Sequence, residues 1–250
     1  MDPVDYNFAH SINLFASTSA TGEVLEARDF ILSNTLAPIA DFNQAMLKMP
    51  RHKPQRTLDR VLDYYARAKV PFRLHVPIDD AAVNDELLSR GFARVADVPC
   101  MTFDGVHCGA PAVANLEIRE VDDAAGLADF QRLAFESFGF PVEIAPLALT
   151  EELAALPQVA MFVGRIDGVA ACCSALIRTG DIAGVYWVGT LAAHRGLGLG
   201  AAITAHAVNT GLARGCARAC LQASVMGAPV YRRIGFAHTR SYLRFDFTAG

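Results

Sequence analysis

The stretch from Val185 to Ala213 constrains the fold more than any other part of the chain. Val185-Tyr-Trp-Val-Gly-Thr-Leu191 is the most β-prone run, rich in β-branched and aromatic residues. His194-Arg-Gly-Leu-Gly-Leu-Gly200 follows, and Leu199, Ile203, Ala207 and Leu212 then keep near-helical spacing up to Ala213. A strand, a glycine loop and a helix start in this order make an anion site. Glycine admits positive φ and lets backbone N–H groups approach a ligand, while the helix N-terminus adds a partial charge of about +0.5. A phosphate-bearing ligand is the natural occupant, and a loop that only packs helix on sheet is the plainer alternative.

Two nucleotide motifs compete for these residues. Gly196-Leu-Gly-Leu-Gly-Ala201 satisfies the dinucleotide pattern G-x-G-x-x-G/A. That fold needs an acid about 20 residues further on for the ribose hydroxyls, yet no Asp or Glu lies between Ile182 and Phe245. An oxidoreductase therefore ranks low. A phosphate loop of the Walker type is excluded as well, because no Gly-Lys-Ser/Thr follows.

The rest of the chain frames this element. With 52% hydrophobic and 19% charged residues in 250, the sequence holds enough apolar side chain for one large or two small folded domains. No apolar run reaches the ~18 residues of a membrane span, and Met1-Asp2-Pro3-Val4-Asp5 is unlike a secretory signal. The expected setting is the cytoplasm, with no membrane or nucleic-acid partner. The six cysteines include the adjacent pair Cys172 and Cys173 and no CxxC, so buried reduced thiols and no metal site are expected.

Residues 105 to 115 show no sustained period and read as a linker. Before it, Pro71-Phe-Arg-Leu-His-Val76 leads to Glu86-Leu-Leu-Ser-Arg-Gly-Phe92 and Met101-Thr-Phe-Asp104. Near the other end, Ala219-Cys-Leu-Gln-Ala223 leads to Val230-Tyr-Arg-Arg-Ile-Gly-Phe236 and Leu243-Arg-Phe-Asp-Phe247. Both copies read strand, short helix, Gly-Phe, strand, and Phe103 stands as far beyond Gly91 as Phe247 beyond Gly235. The pattern predicts two related halves. In the second, Leu116 to Val121 alternates as an edge strand, Asp122 or Asp123 caps a helix through Leu127, Phe130, Leu133 and Ala134, and a further helix is expected from about Leu147 to Leu156. Ile166-Asp-Gly168 marks a hairpin, and residues 178 to 181 turn the chain into the β-prone run.

Arg195-Gly-Leu-Gly-Leu-Gly200 resembles the R/Q-x-x-G-x-G/A pyrophosphate loop of the GNAT superfamily of acyl-CoA-dependent N-acyltransferases. Tyr231-Arg-Arg-Ile-Gly-Phe236 is similar to that family's Tyr-x-x-x-Gly-Phe segment. The resemblance covers Leu116 to Phe247 and implies an α+β fold: a mixed, mostly antiparallel twisted sheet flanked by helices, with two such domains in tandem. Residues 116–250 would be the catalytic domain and 1–104 a degenerate copy. That copy keeps Gly91-Phe92 but has Arg51-His-Lys-Pro54 in place of the glycine loop and Leu87 in place of the tyrosine, so it is expected to bind no cofactor.

The family also implies roles. Val188, Gly189 and Thr190, on a strand that a bulge at Gly189 splays from its neighbour, would line the pantetheine arm of acetyl-CoA. Arg195, Gly196, Leu197, Gly198, Leu199, Gly200 and Ala201 would cradle the pyrophosphate with their backbone, and the Arg195 side chain points to solvent or a 3′-phosphate. Tyr231 protonates or orders the departing thiolate, or simply packs. Ser224 stands where relatives place an asparagine that contacts pantetheine. The strand glutamate that often serves as base is missing. Glu136, Asp181 and His194 are candidates for it, beside backbone carbonyls with an ordered water. Tyr186 and Trp187 could line an acceptor pocket, one of them turned into the core because successive strand side chains face opposite ways.

The expected activity is transfer of an acyl group, acetyl first, from acyl-CoA to an amine by direct attack in a ternary complex, since no cysteine has a His and acid pattern beside it. The alternative is a non-catalytic acyl-CoA-binding module. The acceptor amine and a homodimeric state stay open. The formal charge of −4 divides unevenly: Ile182 to Phe245 holds seven arginines and no acid, and the other residues sum to −11. This predicts a basic cofactor half-site and a cationic acceptor.

Overall fold

The structure is a computed structural model and describes residues 2–48 and 54–248. The expected stand-in for a glycine loop in the first half, Arg51 to Lys53, lies outside the described residues. The first half runs α1 (Pro3–Ser17), β1 (Glu23–Glu26), β2 (Phe30–Asn34), β3 (Asn43–Leu47), α2 (Pro54–Ala68), β4 (Phe72–Pro77), α3 (Ala81–Ser89) and β5 (Arg94–Phe103). The second begins with β6 (Leu116–Glu120), α4 (Ala124–Phe138), α5 (Glu151–Ala154), β7 (Val159–Ile166), β8 (Val169–Thr179) and β9 (Ile182–Thr190). It closes with α6 (Leu199–Ala213), β10 (Arg218–Gln222), α7 (Ala228–Arg233) and β11 (Ala237–Phe247).

Local signals explain most of these boundaries. Asp123 caps α4 by accepting from the Gly126 N–H at 2.6 Å. Asp167 and Gly168 both hold positive φ (49° and 82°), the geometry of a two-residue hairpin turn. The helix expected from Leu147 to Leu156 is instead a 3₁₀ turn, Val142–Leu147, and the single turn α5. Thr150 interrupts it: its backbone is extended and its hydroxyl accepts from Leu153 N–H at 3.0 Å, which starts a new helix there.

All strands among the described residues join one sheet of eleven, in the order β1-β2-β3-β4-β11-β5-β10-β9-β8-β7-β6. Only β3–β4 and β9–β10 pair in parallel. The other neighbours are antiparallel, so the mixed, mostly antiparallel α+β architecture is as expected. Helices α1 and α4 lie on one face, and α2, α3, α6 and α7 on the other.

The two halves exchange their last strands. β5 lies between β10 and β11, and β11 lies between β5 and β4. Each half's Gly-Phe element is covered by the other half's terminal phenylalanine: Phe103 lies 5.7 Å from Phe236, and Phe247 lies 4.6 Å from Phe92. The repeated strand–helix–strand units also match in detail. Phe92 N–H donates to Leu87 O at 3.1 Å, and Phe236 N–H to Tyr231 O at 3.0 Å.

Helix α1 spans the join, with Val4, Phe8 and Ile12 packed on Ile31 and Met46 of the first half and on Ile182 and Cys220 of the second. The stretch read as a linker is pinned down as well: Asn209 on α6 grips Cys108 through both backbone groups, at 2.8 and 2.9 Å. A fragment of residues 116–250 would lack the strand that β10 and β11 share. We expect it to show no cooperative thermal transition alone and to regain one when coexpressed with residues 1–115. Cooperative unfolding of the lone fragment would refute the interlock.

Candidate active site

The site forms where β9 leaves β10. Their parallel pairing covers only Arg218–Ile182, Ala219–Ala183 and Cys220–Gly184. Beyond Gly184, β9 continues for six residues to Thr190 with no strand on its β10 side. On the other side Cys173 faces Gly189 and Ala175 faces Tyr186, so Trp187 and Val188 together oppose Ser174. This is a β-bulge, and Trp187 takes the left-handed conformation in it, φ 51°. For a bulky residue that backbone is strained by about 1–3 kcal/mol.

The bulge therefore lies one residue before Gly189. Gly189 is a glycine for another reason: a Cβ there would sit 2.9 Å from Ser137 Cβ and Oγ and 3.1 Å from Cys173 Sγ. The bulge also overturns the expected alternation, since Tyr186 and Trp187 both pack on the α4 face. Tyr186 donates its hydroxyl to Asn7 Oδ1 at 2.5 Å, and the fully buried Asn7 amide donates in turn to Ile177 O and Thr179 Oγ1. Trp187 joins a ring cluster with Phe15, Phe42, Phe135 and Phe138. Val188 packs on the opposite, α6 face.

The glycine loop follows directly. Gly196 and Gly198 hold φ of 81° and 85°, and a Cβ on Gly196 would meet nothing within 4 Å. Gly198 is the N-cap of α6 and no side chain caps the helix, so its first N–H groups face the loop's open side. Leu199 anchors the helix start in the core, while Leu197 stays exposed. The Arg195 guanidinium folds back onto Thr190 O (3.2 Å) and Ser137 O (3.4 Å).

Tyr231 lies on α7, with Pro229 in the helix's first turn. Its ring is buried against Gly227, where a Cβ would come within 2.7 Å of it. Its hydroxyl has no hydrogen-bond partner among the described residues, and burial pushes its pKa up to about 12. Ser224 Oγ accepts from Gly227 N–H at 3.0 Å and so shapes the turn into α7.

Residues 127–236 match the family model described as the acetyltransferase (GNAT) family. This stretch is a GNAT domain. It takes in the bulged strand, the glycine loop and Tyr231. A GCN5-related N-acetyltransferase from Kribbella flavida superposes on the whole chain and 96% of its own, with TM-score 0.75 and 19% identity. One from Sphaerobacter thermophilus covers 90% of this chain and 75% of its own, with TM-score 0.65 and 15% identity. A tandem GNAT protein from the clavulanic acid biosynthesis pathway covers 100% and 95%, with TM-score 0.61 and 14% identity. These likenesses show that the fold extends over both halves. Comparison with curated proteins gave no match.

Around the GNAT domain, the arginine excess of the sequence window does not become a basic field. Arg214 pairs with Glu120 (2.6 Å), Arg218 with Asp104 (2.9 Å), Arg240 with Asp5 and Asp2, and Arg244 with Asp246. Those acids all lie outside the window. Of the window's seven arginines, Arg195, Arg232 and Arg233 are the ones without an ion pair among the described residues.

The candidate bases separate. Asp181 sits at the start of β9, roughly 30 Å from the loop at about 3.3 Å per residue. Glu136 is exposed and bonded to Arg132 at 3.4 Å. His194 is half-buried in the turn after β9. All six cysteines are buried, and burial raises every thiol pKa. No group of three metal-ligating side chains gathers among the described residues, and no helix there is long and apolar enough to cross a membrane.

Three features were not foreseen. Ser137 Oγ, beside Gly189, and Gln222 Oε1, just past the parting of β9 from β10, are buried without partners. Phe15 and Phe42 come from the first half to Trp187. An isolated Gln in the apolar Ala219–Ala223 strand was a legible signal; nothing local marked the others. We expect Gly189→Ala to cost about 1–3 kcal/mol through overpacking, read as a fall in Tm. Gly109→Ala, with open space at its Cβ, should leave Tm unchanged.

Proposed function

We propose that the protein is an N-acetyltransferase that moves an acetyl group from acetyl-CoA to an amine by direct attack in a ternary complex. The observation that carries this reading is the parting of β9 from β10 immediately ahead of the glycine loop. A slot edged by unpaired strand backbone and ending at an uncapped helix N-terminus suits a long ligand with an amide-bearing arm and a pyrophosphate. The GNAT match of residues 127–236 supports the same class of activity. The residues fit the co-substrate, because Gly196 leaves open space and Gly198 has only the Val113 Cγ2 nearby, at 3.6 Å, where phosphate oxygens need backbone N–H donors.

Acetyl-CoA supplies the thioester. Backbone N–H groups from Arg195 through Gly196, Leu197, Gly198, Leu199, Gly200 and Ala201 would hold the pyrophosphate. Val188, Gly189 and Thr190 would pair with the pantetheine arm, with Ser224 on its far side. A strand N–H in this stretch polarises the carbonyl oxygen as negative charge develops on it. Tyr231 keeps its proton at neutral pH because burial disfavours the phenolate, so its Oη can donate to the sulfur as the C–S bond breaks. With no carboxylate on β9, the attacking amine gives its proton to a water held by strand carbonyls, with His194 as the alternative acceptor. Transfer without an acyl-enzyme accords with six buried thiols that resist ionisation.

The missing carboxylate also favours one second reading, a module that binds acyl-CoA without turnover. Thiol release measured against a panel of amines separates the two. We expect Tyr231→Phe to lower kcat about 10- to 100-fold, the lower range of acid catalysis, with the KM for acetyl-CoA little changed. Unchanged turnover would remove Tyr231 from the mechanism. Gly198→Val, forced into a left-handed backbone, should lose CoA affinity by more than about tenfold in calorimetry while far-UV circular dichroism stays intact. Retained affinity would discard the loop assignment.

A further inference from the structure

We propose that the amine accepted by this protein is carried on an aromatic or similarly apolar body, received on the ring surface formed by Trp187, Phe138 and Phe15. The proposal rests on the acetyl-transfer reading and names the substrate class of that same site.

The bulge determines where Trp187 points. A regular strand would turn successive side chains to opposite faces, but the extra residue puts both Tyr186 and Trp187 on the α1 and α4 face. There Trp187 is held in a left-handed backbone that only surrounding contacts make tolerable. Phe135 and Phe42 stack behind it, with centroids 5.7 and 6.0 Å away and planes within 6° and 14° of its own. Phe138 and Phe15 meet it edge-on at 5.5 and 5.9 Å.

The stacked pair is buried and serves as backing. The outer rings reach solvent: Phe138 is 49% exposed, and Trp187 and Phe15 are half-buried. Exposed aromatic surface gathered beside a strained strand marks a binding surface. It begins one residue from Val188, the first of the strand residues assigned to the pantetheine arm.

Charge decides between classes of amine. The carboxylates of α4 are already matched, Asp129 by Arg165 and Glu136 by Arg132. A polyamine or amino sugar would bring several cationic or hydroxyl groups to rings that offer no hydrogen-bond acceptor and room for one cation–π contact at most, whereas a single amine on an apolar body covers the rings with its own surface. Phe15 and Phe42 belong to the first half, which gives that half a part in acceptor choice.

Trp187 is the single tryptophan of the chain, so its emission reports this surface alone. With CoA present, titration of the full-length protein with phenethylamine should give a saturable change in emission, and spermidine or glucosamine should give none in the same range. In thiol-release assays, phenethylamine should exceed both by at least tenfold in kcat/KM. Phe138→Ala, at a half-exposed ring, should raise the KM for phenethylamine at least fivefold and leave the KM for acetyl-CoA unchanged; Trp187→Phe, which keeps a ring, should have a smaller effect than Trp187→Ala. Preference for spermidine or glucosamine, or an unmoved KM in Phe138→Ala, overturns the proposal. If no amine releases thiol while CoA still binds, the transfer reading fails. The emission titration then decides this inference separately: a response to phenethylamine supports the ring surface as its site, and no response overturns it.

Discussion

A strand with one unpaired edge carries a row of unsatisfied N–H and C=O groups, and β4 and β10 would each carry one if the halves folded apart. β11 and β5 fill those edges crosswise. The consequence for the site is direct. β10 is paired with β5 from Ala219–Phe103 to Gln222–Cys100, while on its other edge it releases β9 after Cys220. A strand held on one side can be left free on the other without fraying. The slot in the second half therefore depends on a strand of the first.

The bulge adds a second constraint. Parting β9 from β10 exposes backbone, and the extra residue turns that backbone away from its β10 neighbour while aiming Trp187 at the opposite helices. The left-handed conformation of Trp187 is unfavourable by itself. It persists because four rings from α1, α4 and the turn at Phe42 surround the indole, and because Gly189 lets Ser137 approach within a distance that a Cβ would forbid. Strain, close packing and the open edge thus form one feature rather than three.

Much of this was legible in the sequence because it is local. Strand, glycine loop and helix follow from consecutive residues, Asp123 announces its helix, and the matched distance of Phe103 and Phe247 from their Gly-Phe elements reveals the repeat. What stayed hidden is non-local or runs against propensity. Period-2 patterning says that β5 and β11 are strands but not which strands they pair with, so the crosswise exchange was not written in either segment. A tryptophan at positive φ contradicts its residue preferences, so residue type alone points to the glycine beside it as the bulge. The arginine-rich window suggested a basic field, but charge counted along a chain ignores partners brought in by folding: Glu120, Asp104 and Asp5 arrive from β6, the end of β5 and α1.

The halves share a frame and differ in chemistry. In the first, β3 and β4 also pair in parallel over three positions, and α3 repeats the hydrogen bond of α7 with Leu87 in the place of Tyr231. Leu87 is fully buried and fills the space, but it has no hydroxyl to give. On the opposite face of the sheet, β4 carries His75, bonded to Gln44 of β3 at 2.8 Å and kept neutral by burial next to Arg73 and Arg244. This polar contact lies within the three-position stretch over which β3 and β4 pair. A duplicated sheet needs both copies of the frame to complete its centre, whereas the chemistry needs only one open slot. The first half is therefore held to the geometry of strand exchange and to the rings it lends to Trp187.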